Sequence, residues 1–154
     1  MSQSETIKDQ IGEVIPALDI SVDGYQTFQV SFISMGNPHG VVILECKKIF
    51  DSSFTRLVQT VGHSIENQSD GIFGTKVNVN FVEIIDRESV NVRTWERGSG
   101  ETMACGTGSC AVVVVLQKKG LLEATVKVTT RGGSLSIMFD KNTNTVHMTL
   151  DLQI

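Results

Sequence analysis

Proline is almost missing from this chain: of 154 residues, only Pro16 and Pro38 carry it. Proline-rich linkers are excluded, and no repeat, low-complexity tract or interior linker interrupts the sequence. Cysteine is nearly as scarce. Cys46, Cys105 and Cys110 are odd in number and too few for a disulfide framework, so the thiols read as free, in a reducing cytoplasm. Long apolar runs are also lacking. No stretch reaches the ~18 residues of a membrane helix, and the polar first ten residues lack the apolar centre of a signal peptide. Positive charge is in deficit, with 13 Lys and Arg against 17 Asp and Glu, a net charge of −4. The basic residues scatter, adjacent only at Lys47-Lys48 and Lys118-Lys119, so a face for duplex nucleic acid is not expected. Nucleic-acid and membrane partners drop out.

What is present is enough for one domain. A chain of this length buries roughly 68–70% of the surface its unfolded form exposes and needs no staples. Alternation of period two predicts strands over 27–33, 77–85, 89–95, 125–130, 134–139 and 145–150, with a short apolar run at 41–44. Gly132-Gly133 and Lys141-Asn-Thr-Asn144 supply turns that make the last three an antiparallel meander. The first ten residues look frayed. Phe54, Leu57, Val58, Val61 and Ile65 predict a helix over 51–67, capped by Asp51, Ser52 or Ser53.

The segment 108–119 reads two ways. Val112-Val-Val-Val115 favours strand, because β-branched side chains are stiff in a helix. The small residues before it and Lys118-Lys119-Gly120 after it favour a helix with a regular stop. We take the helix. Apolar on nearly all sides, it belongs inside the sheet. The class is α+β: a strongly curved, mixed or antiparallel sheet, a half-barrel, wrapped around one central helix, with a second amphipathic helix outside.

Chemistry concentrates in Trp95-Glu-Arg-Gly-Ser-Gly-Glu-Thr-Met-Ala-Cys-Gly-Thr-Gly-Ser109. A strand end leads through a glycine-rich loop to Cys105, just before the central helix. N–H groups at a helix start stabilise a thiolate, and those of Gly106, Thr107 and Gly108 can receive a carboxylate. The plain alternative is a small buried Cys in a tight turn. Met35-Gly-Asn-Pro-His-Gly40 is a second feature, a sharp turn presenting Asn37 and His39 at a sheet edge. It serves as a structural turn or as a site whose imidazole exchanges a proton near pH 7. Glu96-Arg97 is either a solvated strand end or a carboxylate that tunes a neighbour beside a guanidinium that clamps a substrate carboxylate. His63, His147, Cys46 and Cys110 read as ordinary surface or packing residues. No metal-ligand spacing, P-loop or dinucleotide fingerprint occurs, so no metal or cofactor is expected.

Together these residues resemble the C-terminal half of the diaminopimelate epimerase family. Gly36-Asn-Pro-His39, Asn78-Val79 before Phe81-Val82, Arg93-Thr-Trp-Glu-Arg-Gly98, Gly100-Glu-Thr-Met-Ala-Cys-Gly-Thr-Gly108 and Arg131-Gly-Gly-Ser-Leu135 follow in the family's order. The resemblance runs from about Phe28 to Leu150. It implies one of two similar domains, 27–154, preceded by an inter-domain connector, 1–26. It also implies inversion of LL-diaminopimelate to the meso form, a lysine and peptidoglycan precursor, by two opposed cysteines without pyridoxal phosphate or metal. On that resemblance Cys105 is one catalytic thiol, and His39 and Glu96 adjust thiol protonation. Asn37, Asn78, Arg97, Gly106 and Thr107 bind substrate.

The family's N-terminal half, with its Cys-Gly-Asn motif, has no counterpart here. Neither Cys46 nor Cys110 sits in such a motif, so a fragment or excised domain is the simplest reading and a split subunit the alternative. The expected partners are diaminopimelate, the missing half-domain and, through apolar surface that half leaves bare, a homo-oligomer. Other readings stay open: a racemase of another amino acid, a Cys105–His39 hydrolase with the loop as oxyanion hole, and a non-catalytic binding module.

Overall fold

The computed structural model describes residues 2–103 and 106–151. Strands β1 (Ser2–Ile7), β2 (Ile15–Ser21), β3 (Thr27–Ser34) and β4 (Pro38–Ile43) come first. A 3-10 turn (Ser52–Phe54) then opens helix α1 (Thr55–Gln68), followed by the short α2 (Asp70–Phe73). Strands β5 (Asn78–Asp86), β6 (Ser89–Glu96) and β7 (Gly100–Thr102) lead to helix α3 (Gly106–Lys118). Strands β8 (Thr125–Thr130), β9 (Gly133–Asp140) and β10 (Thr145–Asp151) close the order.

The strands form one curved mixed sheet, ordered β1-β10-β9-β8-β6-β5-β4-β3-β2, with β7 beside β6. Two neighbour pairs, β4/β5 and β6/β8, are parallel. Parallel neighbours need a crossover rather than a hairpin, and α1 and α3 lie on those two connections. The helices take opposite faces. Ile33, Val41, Val82, Val90 and Val92 pack with α3, whereas Phe32, Val42, Phe81 and Val79 pack with α1. Successive strand residues face opposite ways, so the central strands are covered on both sides.

Helix α3 touches β3, β4, β5 and β9, so the sheet wraps it. Residues Gly108–Gln117 are all buried, and the valine run is helical. Strand preference is worth little against burial on every side of the helix. Its end is a Schellman motif: Gly120 N–H donates to Gln117 O (2.9 Å), Leu121 N–H to Leu116 O (3.0 Å), and Gly120 has φ +77°. Among the described residues no helix is long and apolar enough to cross a membrane.

Helix α1 buries Val58, Val61, Gly62, Ile65 and Glu66, one stripe at helical spacing. Asp51 is the residue that caps its 3-10 opening, accepting from Ser53 N–H at 2.9 Å. Gly62 lets α1 lie on Trp95 of β6. A Cβ there would stand 2.7 Å from Trp95 Cβ and Cγ. Alanine gains about 1 kcal/mol of helix propensity, but overpacking costs about 1–3 kcal/mol. Gly62→Ala is therefore expected to lower the unfolding midpoint and alter the near-ultraviolet dichroism of the single tryptophan. A midpoint above that of the parent would show that α1 has room to lift.

Two expectations are corrected. The first ten residues are not frayed throughout: β1 pairs along its length with β10, from Ser2↔Asp151 to Ile7↔Val146. The 35–40 turn does not hold His39 at a sheet edge. His39 lies inside β4, paired with Ile33 of β3 and Asn78 of β5, and is fully buried.

Candidate functional site

The face of the sheet that packs α3 changes character along the strands. Apolar at Val41, Val82 and Val92, it becomes polar toward the α3 N-terminus: His39 on β4, Asn78 and Asn80 on β5, Thr94 and Glu96 on β6. Period-two alternation puts these side chains on one face. Register brings them level, with His39 opposite Asn78 and Asn80 opposite Thr94.

His39 lies at the centre. Its Nε2 is 3.1 Å from both Asn37 Oδ1 and Thr107 Oγ1, in the first turn of α3. Asn37 Nδ2 also donates to Thr107 Oγ1 at 3.3 Å. On the other side, Asn80 Nδ2 is 3.1 Å from His39 Nδ1. Burial first, and the Arg97 charge second, lower the His39 pKa to about 4. The ring is neutral at pH 7, so proton exchange near that pH, the property of an ordinary imidazole, is not what this environment provides.

Asn78 is buried and braces the backbone: its Nδ2 donates to Pro38 O (3.2 Å), and its Oδ1 accepts from Arg97 N–H (2.9 Å). Arg97 is exposed, its Nη1 donating to Thr75 Oγ1 (3.3 Å) and Lys76 O (3.2 Å). Glu96, half-buried, ends β6 and opens the turn to β7, where Ser99 N–H donates to its carbonyl. Gly106 and Thr107 begin α3. Cys105 precedes that helix directly and lies outside the described residues. The structure thus brings Asn37, His39 and Thr107 into contact, sets Asn78 beside them, and joins Arg97 to the group through its backbone.

Three residues with a part in this arrangement escape the sequence reading. Asn80 and Thr94 share the polar face, and the signal was there: Asn80 lies two positions after Asn78, so both side chains point the same way. Glu66 had no signal beyond being polar on an apolar stripe. Buried on α1, it accepts from Trp95 Nε1 (2.9 Å) and Gly98 N–H (3.2 Å), gripping the turn that carries Glu96 and Arg97.

His63 and His147 are exposed, and Cys110 is fully buried beside Met148. Burial, then Glu83, raises the Cys46 pKa. Among the described residues no cluster of three His, Cys, Asp or Glu could hold a metal ion. A groove of about 630 Å³, lined by Gln26, Phe28, Leu44, Cys46, Leu57 and Lys119 among others, contains none of the candidate site residues.

The chain is 39% identical over 137 residues to diaminopimelate epimerase of Acetivibrio thermocellus, covering 89% of this chain and 46% of that protein. With the Ralstonia pickettii enzyme it shares 44% over 124 residues, covering 80% and 40%. The chain thus spans about half the length of the curated relatives it matches. Among solved structures, a hydroxyproline epimerase from Agrobacterium vitis superposes with a TM-score of 0.75 at 15% identity, over 97% of this chain and 49% of that one. A probable proline racemase from Agrobacterium radiobacter gives 0.70 at 14%, over 98% and 53%. At such identities these two speak for the fold alone. The diaminopimelate epimerase family model matches residues 31–151, and on that match the chain belongs to the diaminopimelate epimerase family.

Proposed function

We propose that this chain supplies one half of the active site of an enzyme that interconverts LL- and meso-diaminopimelate by proton transfer between two thiols. The observation that carries the reading is the polar cluster of Asn37, His39, Asn78 and Thr107 at the start of α3, beside the position that Cys105 takes in the sequence. The Cα–H bond breaks, its proton passes to one thiolate, and the opposite thiol delivers a proton to the other face. In net terms one stereocentre inverts.

Cys105 is one of the two sulfurs, and the second comes from a half-domain not included in this sequence. An amino acid α-proton is weakly acidic, so charge building on the adjacent carboxylate has to meet preorganised donors. The N–H groups of Gly106 and Thr107 and the Arg97 guanidinium fill that role. Asn37 and Asn78 hold the remaining polar groups of the substrate. Glu96 and His39 set the protonation of the thiols.

The test is deuterium uptake at Cα from heavy water by the complete two-domain enzyme. Cys105→Ala is expected to lose about 10²-fold or more of that exchange, the scale of a general acid–base group. The 154-residue chain alone is expected not to epimerise. Exchange that survives Cys105→Ala undiminished, or steady turnover by the isolated chain, would refute the proposal.

A further inference from the structure

We propose that Asn80, oriented by the Gly40 carbonyl, is a positioning residue that holds His39 with its proton on Nε2, so that the ring meets the candidate site as a hydrogen-bond donor and not as a base. Asn80 Nδ2 lies 3.1 Å from the carbonyl oxygen of Gly40, which can only accept. That fixes the amide: the reverse orientation would set two oxygens against each other. Its Oδ1 then accepts from Thr94 Oγ1 at 3.0 Å, a hydroxyl that serves either orientation and completes this one. The second Nδ2 hydrogen points at His39 Nδ1, 3.1 Å away. A proton on Nδ1 would face that hydrogen, so Nδ1 is the bare, accepting nitrogen.

A neutral imidazole with a bare Nδ1 carries its hydrogen on Nε2. That hydrogen is directed at Asn37 Oδ1 and Thr107 Oγ1, both 3.1 Å away. Adding a second proton would break the Asn80 bond inside a fully buried pocket. His39, Asn80 and Thr94 are all buried, so water does not compete for these bonds. Arg97 is the charge felt by the ring, and it opposes protonation further. Within the epimerase reading, on which this consequence rests, the ring serves the site as a neutral N–H donor to Asn37 and Thr107, with no ion pair. The tautomer itself is a property of this chain and needs no catalysis to exist.

Nitrogen-15 histidine NMR on the 154-residue chain measures it directly. At neutral pH, His39 is expected to show a protonated, pyrrole-like Nε2 and an unprotonated, pyridine-like Nδ1, with assignment by loss of the signal in His39→Gln. A protonated Nδ1, or two averaged nitrogens, in the parent chain overturns the proposal without any variant. Asn80→Asp puts an acceptor against Nδ1 and is expected to move the proton there or to charge the ring. Asn80→Leu, of similar size, is expected to leave a tautomer mixture. Folded variants that keep the parent pattern remove Asn80 from the role. Failed deuterium exchange in the complete enzyme would sink the epimerase reading and leave these spectra unchanged, so the two failures are separable.

Discussion

Arg93→Met is expected to destabilise the chain by about 3–5 kcal/mol, the cost of leaving a buried charge without its partner. Arg93 is fully buried on the α1 side of β6, and all five of its donors are used. Its Nε and Nη2 grip Glu101 of β7 at 2.7 and 2.8 Å. Nη1 donates to Ile49 O (3.0 Å) and Asp51 O (3.2 Å), and Nη2 also to Thr55 Oγ1 (3.1 Å). Methionine fills similar volume but donates nothing, so a carboxylate, two carbonyls and a hydroxyl lose partners together. Arg131, at 3.2 Å from Glu101, offsets only part of this, because it is itself partly solvated.

The exposed pair Arg87–Glu123, at 2.7 Å, is the control. Its glutamate removed, it is expected to cost about 1 kcal/mol or less. Urea midpoints at constant m separate the two. The double variant Arg93→Met, Glu101→Leu is expected to recover most of the loss, since it removes the stranded charge as well. Equal losses in the buried and exposed pairs would mean that Arg93 acts through packing alone. More than stability hangs on this group: it ties β7, and with it the turn bearing Glu96 and Arg97, to the chain that enters α1.

How much of this was legible depended on whether a side chain had to be buried. The meander β8–β10 and strands β3, β5 and β6 show because one face must be apolar, and α1 shows through its 58-61-65 stripe. β1 and β2 were invisible for the opposite reason. They are the two edges of the sheet, joined chiefly by backbone hydrogen bonds that any sequence can make. β2 is mostly exposed, irregular between Ile15 and Leu18, and carries Pro16, a residue tolerated at an edge. The valine run of α3 read two ways because propensity is local while its environment is not, and the flanking helix signals pointed to the helix that forms.

At the candidate site, local motifs singled out Asn37, His39 and Thr107, and the family resemblance added Asn78. Asn80 and Thr94 were lost because their role exists only across strands, where Asn80↔Thr94 is a register pair 14 residues apart in sequence. Reading the polar end of each strand by parity would have recovered both.

Acid should expose the buried imidazole. Above the unfolded value of 6.5, His39 is neutral in both states and stability is complete. Between 6.5 and the folded value of about 4, the unfolded chain binds a proton that the folded chain refuses, so stability falls as pH drops through that window. Below the folded value both states are protonated and the loss levels off. The whole interval is worth about 3 kcal/mol at ~1.36 kcal/mol per pKa unit. Carboxylates add their own losses toward the acid end, so the measurement is a difference: urea stability of the parent against His39→Gln, followed from neutral pH downward. The parent is expected to lose stability more steeply than the variant. Arg97→Leu is expected to reduce the excess only in part, since burial is the larger cause and the guanidinium the smaller. Parallel curves for parent and His39→Gln would mean that the ring takes up its proton in place, and a ring that does so at mild acidity could not serve as a fixed neutral donor.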